Sequence, residues 1–325
     1  MVKLLKAFMF AAMVTMAVGL SSCATSSHQA KLAPGEFEWH PERSSSGPVL
    51  MVVSIDDQMA YVYRNGVQIA RSTVSTGRAG KETPTGVFTI LERKVDHESN
   101  IYKGAKMPYM QRLTWTGIAM HAGQLPGYPA SGGCIRLPYA FSEKVYGVLS
   151  NGSTVAITQK GTVPSYSKKP ASVLLASRAQ SPSNKAIPDP QGKVMWEPGR
   201  SRSGPYSVLL SYADKTAYVW RNGIKIGQSP VAIMPGANPP EGVFMKLEGG
   251  TGAQSWSVLS LNSGKVFGDP ASAIANNVTL PREFRNKVSG VLTPGTILLA
   301  TRESSNSNTM SKTNFGIVQP EAKQP

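Results

Sequence analysis

A cysteine, a histidine thirteen positions before it and an arginine two positions after it are the residues of this chain best suited to chemistry. They are Cys134, His121 and Arg136, in the segment His121-Ala122-Gly123-Gln124-Leu125-Pro126-Gly127-Tyr128-Pro129-Ala130-Ser131-Gly132-Gly133-Cys134-Ile135-Arg136. A thiol becomes a good nucleophile near neutral pH when a base or a cation accompanies it, and histidine is the usual base. Gly132 and Gly133 put no side chain in front of the backbone, so N–H groups there can approach a developing oxyanion. Arg136 holds its charge at any ordinary pH and suits a carboxylate. Together these types describe a nucleophilic cysteine served by a base, with backbone donors for a developing oxyanion. The competing explanation is a buried, inert cysteine with a core histidine nearby.

The elements that position these groups read mainly as strands. The 325 residues are 41% hydrophobic and 16% charged, with 31 Gly and 24 Pro, a mix suited to strands and turns rather than a helical bundle. Residues 49–55 form an apolar run, Asp56-Asp57-Gln58 a turn, and residues 59–64 alternate toward Asn65-Gly66. Asn-Gly between two strand-like runs predicts a type I′ hairpin into a strand over 67–75. Short helices are predicted over 140–149 and 283–291.

The chain repeats itself. Trp39-His40-Pro41-Glu42-Arg43-Ser44-Ser45-Ser46-Gly47-Pro48 returns 157 positions later as Trp196-Glu197-Pro198-Gly199-Arg200-Ser201-Arg202-Ser203-Gly204-Pro205. Ala60-Tyr61-Val62-Tyr63-Arg64-Asn65-Gly66 returns at the same offset from Ala217. Pro84-Thr85-Gly86-Val87-Phe88 returns as Pro240-Glu241-Gly242-Val243-Phe244, 156 positions on, and Leu137-Pro138 as Leu280-Pro281, 143 positions on. Two domains from one duplication, 49–158 and 193–302, are expected, joined by a Ser/Pro/Lys-rich linker over 159–192 with Val173-Leu174-Leu175 as a brief contact. Residues 303–325 read as a disordered tail. Anchored at the Leu-Pro pairs, Cys134 falls opposite Asn277 and Arg136 opposite Thr279, and no His or Cys follows Cys134. The second copy therefore lacks nucleophile, base and arginine, and is read as a non-catalytic companion.

Lys3 and Lys6 followed by an uncharged apolar run over 7–19 read as a secretory signal over 1–22, too short to span a membrane stably. Its ending, Leu20-Ser21-Ser22-Cys23, resembles a bacterial lipobox. That resemblance implies lipidation of Cys23, a tether over 23–48 and, with Ala24 next, the periplasmic side of a Gram-negative outer membrane. The net charge of +15 falls to +13 once Lys3 and Lys6 are removed, leaving 32 basic and 19 acidic residues. Exported, such a chain has no use for nucleic acid as a partner, and an anionic wall or lipid surface fits the field better. With Cys23 lipidated, Cys134 has no partner in the chain, and a free thiol in an oxidising compartment must be buried or functional.

The Cys134 segment resembles the L,D-transpeptidase catalytic domain, the YkuD-type family of peptidoglycan enzymes. Ser131, Gly133, Cys134, Ile135 and Arg136 match its motif, His121 lies upstream, and Pro84-Thr85-Gly86-Val87-Phe88 is similar to its strand entry. Two departures stand out: the family's histidine just before Gly-Cys is Gly132 here, and the spacing from His121 to Cys134 is short. The resemblance covers 49–158 and implies a mainly β, L,D-transpeptidase-like β-sandwich with a short helix, duplicated in tandem. It implies that Cys134, served by His121, attacks the stem peptide of peptidoglycan, with backbone groups of Gly132, Gly133 and Cys134 at the oxyanion. The Ala122 carbonyl would orient the imidazole, and Arg136, Ser131 and Tyr109 would contact substrate. Acceptors would be another stem, giving a 3-3 cross-link, or a wall-linked outer-membrane protein. Hydrolysis as an L,D-carboxypeptidase and an inactive wall-binding lipoprotein remain alternatives. No cofactor and no metal are implied, since His28, His40, His97 and His121 lack ligand spacing.

Overall fold

The computed structural model describes residues 31–159 except 100 and 103, and residues 192–302 except 223, 250–255, 261–273 and 275, together with 165–166, 190, 304 and 316–317. The signal segment, Cys23, the start of the tether, Val173-Leu174-Leu175 and most of the linker and tail lie outside the described residues.

Strand β1 (Phe37–Trp39) passes through a 3-10 turn at Pro41–Arg43 into β2 (Val49–Ser54), β3 (Met59–Arg64) and β4 (Val67–Thr73). The β3–β4 reversal is Asn65-Gly66, with φ of 48 and 82, the positive values that a type I′ turn requires. Next come β5 (Gly86–Thr89), β6 (Glu92–Lys94), β7 (Met110–Arg112), β8 (Ala119–Ala122), β9 (Ile135–Leu137), helix α1 (Tyr139–Val148) and β10 (Thr154–Thr158). A main sheet has the order β1-β4-β3-β2-β10-β5, and β6-β7-β8-β9 form a smaller one. Pro138, directly before α1, has the fixed φ of a helix entry, so the helix starts one residue earlier than its apolar spacing predicts.

The second half contains β11 (Ser165–Tyr166), β12 (Met195–Trp196), β13 (Tyr206–Ser211), β14 (Thr216–Arg221), β15 (Ile224–Pro230), β16 (Ala232–Ile233), β17 (Gly242–Lys246), β18 (Trp256–Ser260), β19 (Val278–Thr279), α2 (Arg282–Ser289) and β20 (Ile297–Thr301). Its sheet, β11-β18-β17-β20-β13-β14-β15-β12, repeats the first order strand for strand from β12 to β17. Smaller details repeat as well. Trp39 meets Phe141 edge-on at 5.9 Å, and Trp196 meets Phe284 the same way at 5.8 Å. The strands β11 and β21 (Gly316–Ile317), from the predicted linker and tail, each add to a sheet edge.

Strand β2 is buried along nearly its whole length, which explains its unbroken apolar sequence. Met51 and Val53 face the core under α1, with Phe141, Val145, Met120 and Ile135. Leu50 and Val52 face the other way and share a core with Leu209, Trp220, Val243 and Leu299 of the second half. The same alternation runs through β13, where Leu209 enters the shared layer while Val208 and Leu210 enter the second half's own core. At one edge of this layer Asn65 closes the joint: its Nδ2 donates to the Glu248 carbonyl at 3.1 Å and its Oδ1 accepts from the Glu248 N–H at 2.7 Å. The halves are expected to unfold together. Leu209→Ala should cost about 2–5 kcal/mol and lower the denaturant midpoint reported by probes in both halves; a transition confined to the second half would contradict a shared core.

Candidate active site

The parallel pairing of β8 with β9 aligns His121 with Arg136 and Met120 with Ile135, so Cys134 enters one residue ahead of that ladder. Both strands are held by their apolar residues: Met120, Ile135 and Leu137 are fully buried in the core under α1. An antiparallel bridge ties Arg136 to Ser75, with N–H to carbonyl distances of 2.9 and 3.0 Å in the two directions. His121 and Cys134, thirteen positions apart in sequence, are thus brought to one end of one small sheet.

His121 is buried, at 8% exposure, and its Nδ1 lies 2.8 Å from the Ala122 carbonyl oxygen. A carbonyl only accepts, so Nδ1 carries the hydrogen and Nε2 is the basic nitrogen. Burial pushes the imidazole below its ordinary pKa; the Ala122 carbonyl opposes this, and the positive charges of Arg136 and His97 add to the lowering. Cys134 is partly buried, with its thiol donating to the Gly117 carbonyl at 3.5 Å. Burial raises the thiol, while the Ala119 backbone, Arg136 and Arg112 pull it back down. Both directions favour a neutral pair, thiol and free imidazole.

The loop before Cys134 is internally braced. Ser131 is 1% exposed; its hydroxyl donates to the Cys134 carbonyl and accepts from the Gly133 N–H at 3.1 Å. Expected at the substrate, Ser131 instead spends its hydrogen bonds inside the loop, and Gly133, expected as an oxyanion donor, has its N–H engaged there. Gly133 has φ of 118, and its carbonyl accepts from the Thr83 hydroxyl at 2.7 Å. Buried Thr83 also accepts from the Gly77 N–H at 2.8 Å, so it pins the loop to the turn after β4. A Cβ at Gly132 would lie 2.6 Å from the hydroxyl of the exposed Tyr102, whose side chain would have to swing aside for a larger residue.

Arg136 is half-buried, with its guanidinium free of ion pairs among the described residues. Tyr109 is the further residue expected to contact substrate. Its ring packs at 5.4 and 5.7 Å against Tyr139 and Tyr146 of α1, and its hydroxyl is pushed up to about 12 by desolvation first and by its hydrogen bond to Tyr139 next. Sequence reading missed Thr83, Gly117, Ala119, Tyr102 and His97. Thr83 adjoins the Pro84 block, but its use depends on a loop fifty residues away. The others act through backbone groups or through space, which spacing does not reveal. Among the described residues no cluster of His, Cys, Asp and Glu could hold a metal.

Residues 48–157 match the family model of the L,D-transpeptidase catalytic domain, YkuD. Cys134, His121 and the ladder of β8 and β9 all fall inside that stretch. No curated protein sequence matches the chain. Among solved structures, an L,D-transpeptidase from Stackebrandtia nassauensis is similar at 28% identity, over 36% of this chain and 58% of that one, with a TM-score of 0.33. An L,D-transpeptidase from Mycobacterium tuberculosis H37Rv is similar at 24% identity, over 34% and 58%, with a TM-score of 0.32. L,D-transpeptidase 3 of that species, in complex with a faropenem-derived adduct, shows 24% identity over 34% and 60%, TM-score 0.32. The chain thus spans about 58% of the length of the first two.

Arg136→Ala should move the pH dependence of Cys134 alkylation upward, because the arginine's charge favours the thiolate. Alkylation rates measured against pH check this; a profile that stays in place would mean Arg136 does not act on the sulfur.

Proposed function

We propose that this protein is an L,D-transpeptidase that acts on peptidoglycan stem peptides through a thioester on Cys134. The observation that carries this reading is the His121 imidazole, fixed by the Ala122 carbonyl on the strand beside the one Cys134 leads into, within the stretch that matches the family. In the first half-reaction the Cys134 proton passes to His121 Nε2 as sulfur bonds to the carbonyl carbon of the L-centre. The oxyanion forms with the Cys134 N–H as donor, since the Gly133 N–H is engaged by Ser131. Its collapse breaks the bond to the terminal D-residue, and the proton on His121 leaves with that amine. A side-chain amine of a second stem then attacks the thioester, gives its proton to His121 and releases Cys134 as the thiol, leaving a 3-3 cross-link or a protein joined to the wall. Arg136 faces the same ladder position as His121 and is suited to hold a substrate carboxylate.

The leader belongs to the same proposal: export through residues 1–22, lipid on Cys23, and a place on the periplasmic side of the outer membrane. A basic mature chain tethered there would lie against an anionic wall. Among the described residues no helix is long and apolar enough to cross a membrane.

Incubation with tetrapeptide muropeptides, followed by mass analysis, separates the outcomes. Cross-linked dimers are expected; shortened monomers would make the enzyme a carboxypeptidase, and unchanged substrate would make it inactive. Cys134→Ala should lower turnover roughly a thousandfold or more with little change in melting temperature, and His121→Gln should approach the same loss. Substantial activity in Cys134→Ala would remove the nucleophile assignment. A penem such as faropenem should add its mass to Cys134 of the active protein, and the alanine variant should stay unmodified.

A further inference from the structure

The joint between the two halves is close to symmetric, and it fails on one side. Pro205 touches the position of Gly152, whose Cβ would lie 3.2 Å from its Cγ, and Pro48 touches the equivalent Gly295 at 3.6 Å. Tyr63 and Trp220 enter the shared core at matching strand positions, as do Val87 and Val243. On the first side, Leu50 and Tyr63 meet Met245 and Leu247, and Asn65 is fastened to Glu248 through both backbone groups. On the other side the corresponding residues are Ser207 and Trp220 opposite Thr89 and Leu91, and there a cavity of about 420 Å3 opens.

The sequence explains the gap. Thr89 replaces Met245 and Ser207 replaces Leu50, so both walls lose apolar volume and gain a hydroxyl. Glu92, the counterpart of Glu248, is drawn into β6, where it pairs with Arg112 and binds that guanidinium at 2.8 Å. Asn222, the counterpart of Asn65, keeps the same left-handed turn, φ 48, and is exposed; its carboxamide has no protein partner among the described residues and lines the cavity. Trp115, from the β7–β8 loop, forms part of the wall.

We propose that this cavity is a saccharide-binding site built jointly by the two halves, and that its occupant is a short, neutral, N-acetylated sugar segment. In a chain of net charge +15, no Lys, Arg, His, Asp or Glu lines it, so phosphates, nucleotides and acidic peptides find no counter-charge. Trp115, Tyr206 and Trp220 supply ring surface, while Thr89, Asn151 and Asn222 supply neutral donors and acceptors. Sugars present that combination, apolar C–H faces edged with hydroxyls and, when N-acetylated, an amide that pairs with a carboxamide. The volume lies in the range of pockets that enclose small ligands, about 300–1,000 Å3. The assignment rests on the lining alone and does not depend on acyl transfer at Cys134.

The test is a titration of the full chain with tetra-N-acetylchitotetraose, followed by calorimetry and tryptophan fluorescence. Saturable binding near one equivalent is expected, with at least a tenfold loss of affinity in Trp115→Leu and in Asn222→Gly, a change that the left-handed turn accepts without strain. Alkylating Cys134 should leave the affinity unchanged. No saturable signal, or unaltered affinity in both variants, would overturn the proposal. Loss of binding on alkylation would overturn it as well, because the sugar would then be read at the thiol site.

Discussion

Much of this molecule follows from the burial of one sheet on both faces. A sheet whose central strand reads Val-Leu-Met-Val-Val-Ser cannot leave either face in water. One face is covered by α1 and the small sheet that carries His121, and the other by the equivalent sheet of the second half. The ladder that carries His121 and Arg136 therefore stands on a layer whose position is set partly by residues 206–301. The second half is thus part of the support of the first.

The site itself is organised around restraint more than around charge. The imidazole and thiol are both buried, and burial disfavours the charged form of each. A neutral thiol is less prone to oxidation than a thiolate. Geometry then does the work that charge would otherwise do: Ala122 sets the tautomer, and Ser131 and Thr83 hold the loop so that Cys134 is presented at a fixed place. Arg136 serves both partners, with opposite consequences. Its charge favours the thiolate and disfavours the imidazolium.

The near-symmetry of the halves makes their differences informative. Where matching residues remain, the joint is filled and hydrogen-bonded, as at Asn65 and Glu248. Where Thr89, Ser207 and the redirected Glu92 break the match, space appears beside an unused carboxamide. In the second half, Ala232 pairs with Thr279, just as Ser75 bridges Arg136 in the first. The strand pairing at this position is therefore the same in both halves.

Local rules made a good part of this legible in the sequence. Asn65-Gly66 specified its turn because few residue pairs accept two positive φ values, and both short helices were legible, each starting one residue earlier than expected, directly after Pro138 and Pro281. His121, Cys134 and Arg136 stood out because their chemistry is rare in combination, and the repeat fixed which residues correspond. The partner of each face was not legible. A strand apolar on both sides shows that it is covered without showing by what, so the shared core of Leu50, Val52 and Leu209 emerged only from the folded chain. The same holds for single polar groups. The sequence supplied the Ser131 hydroxyl and the Gly133 N–H, but only the tertiary fold decided that they satisfy each other, because a hydrogen bond depends on distances that residue type and spacing leave open.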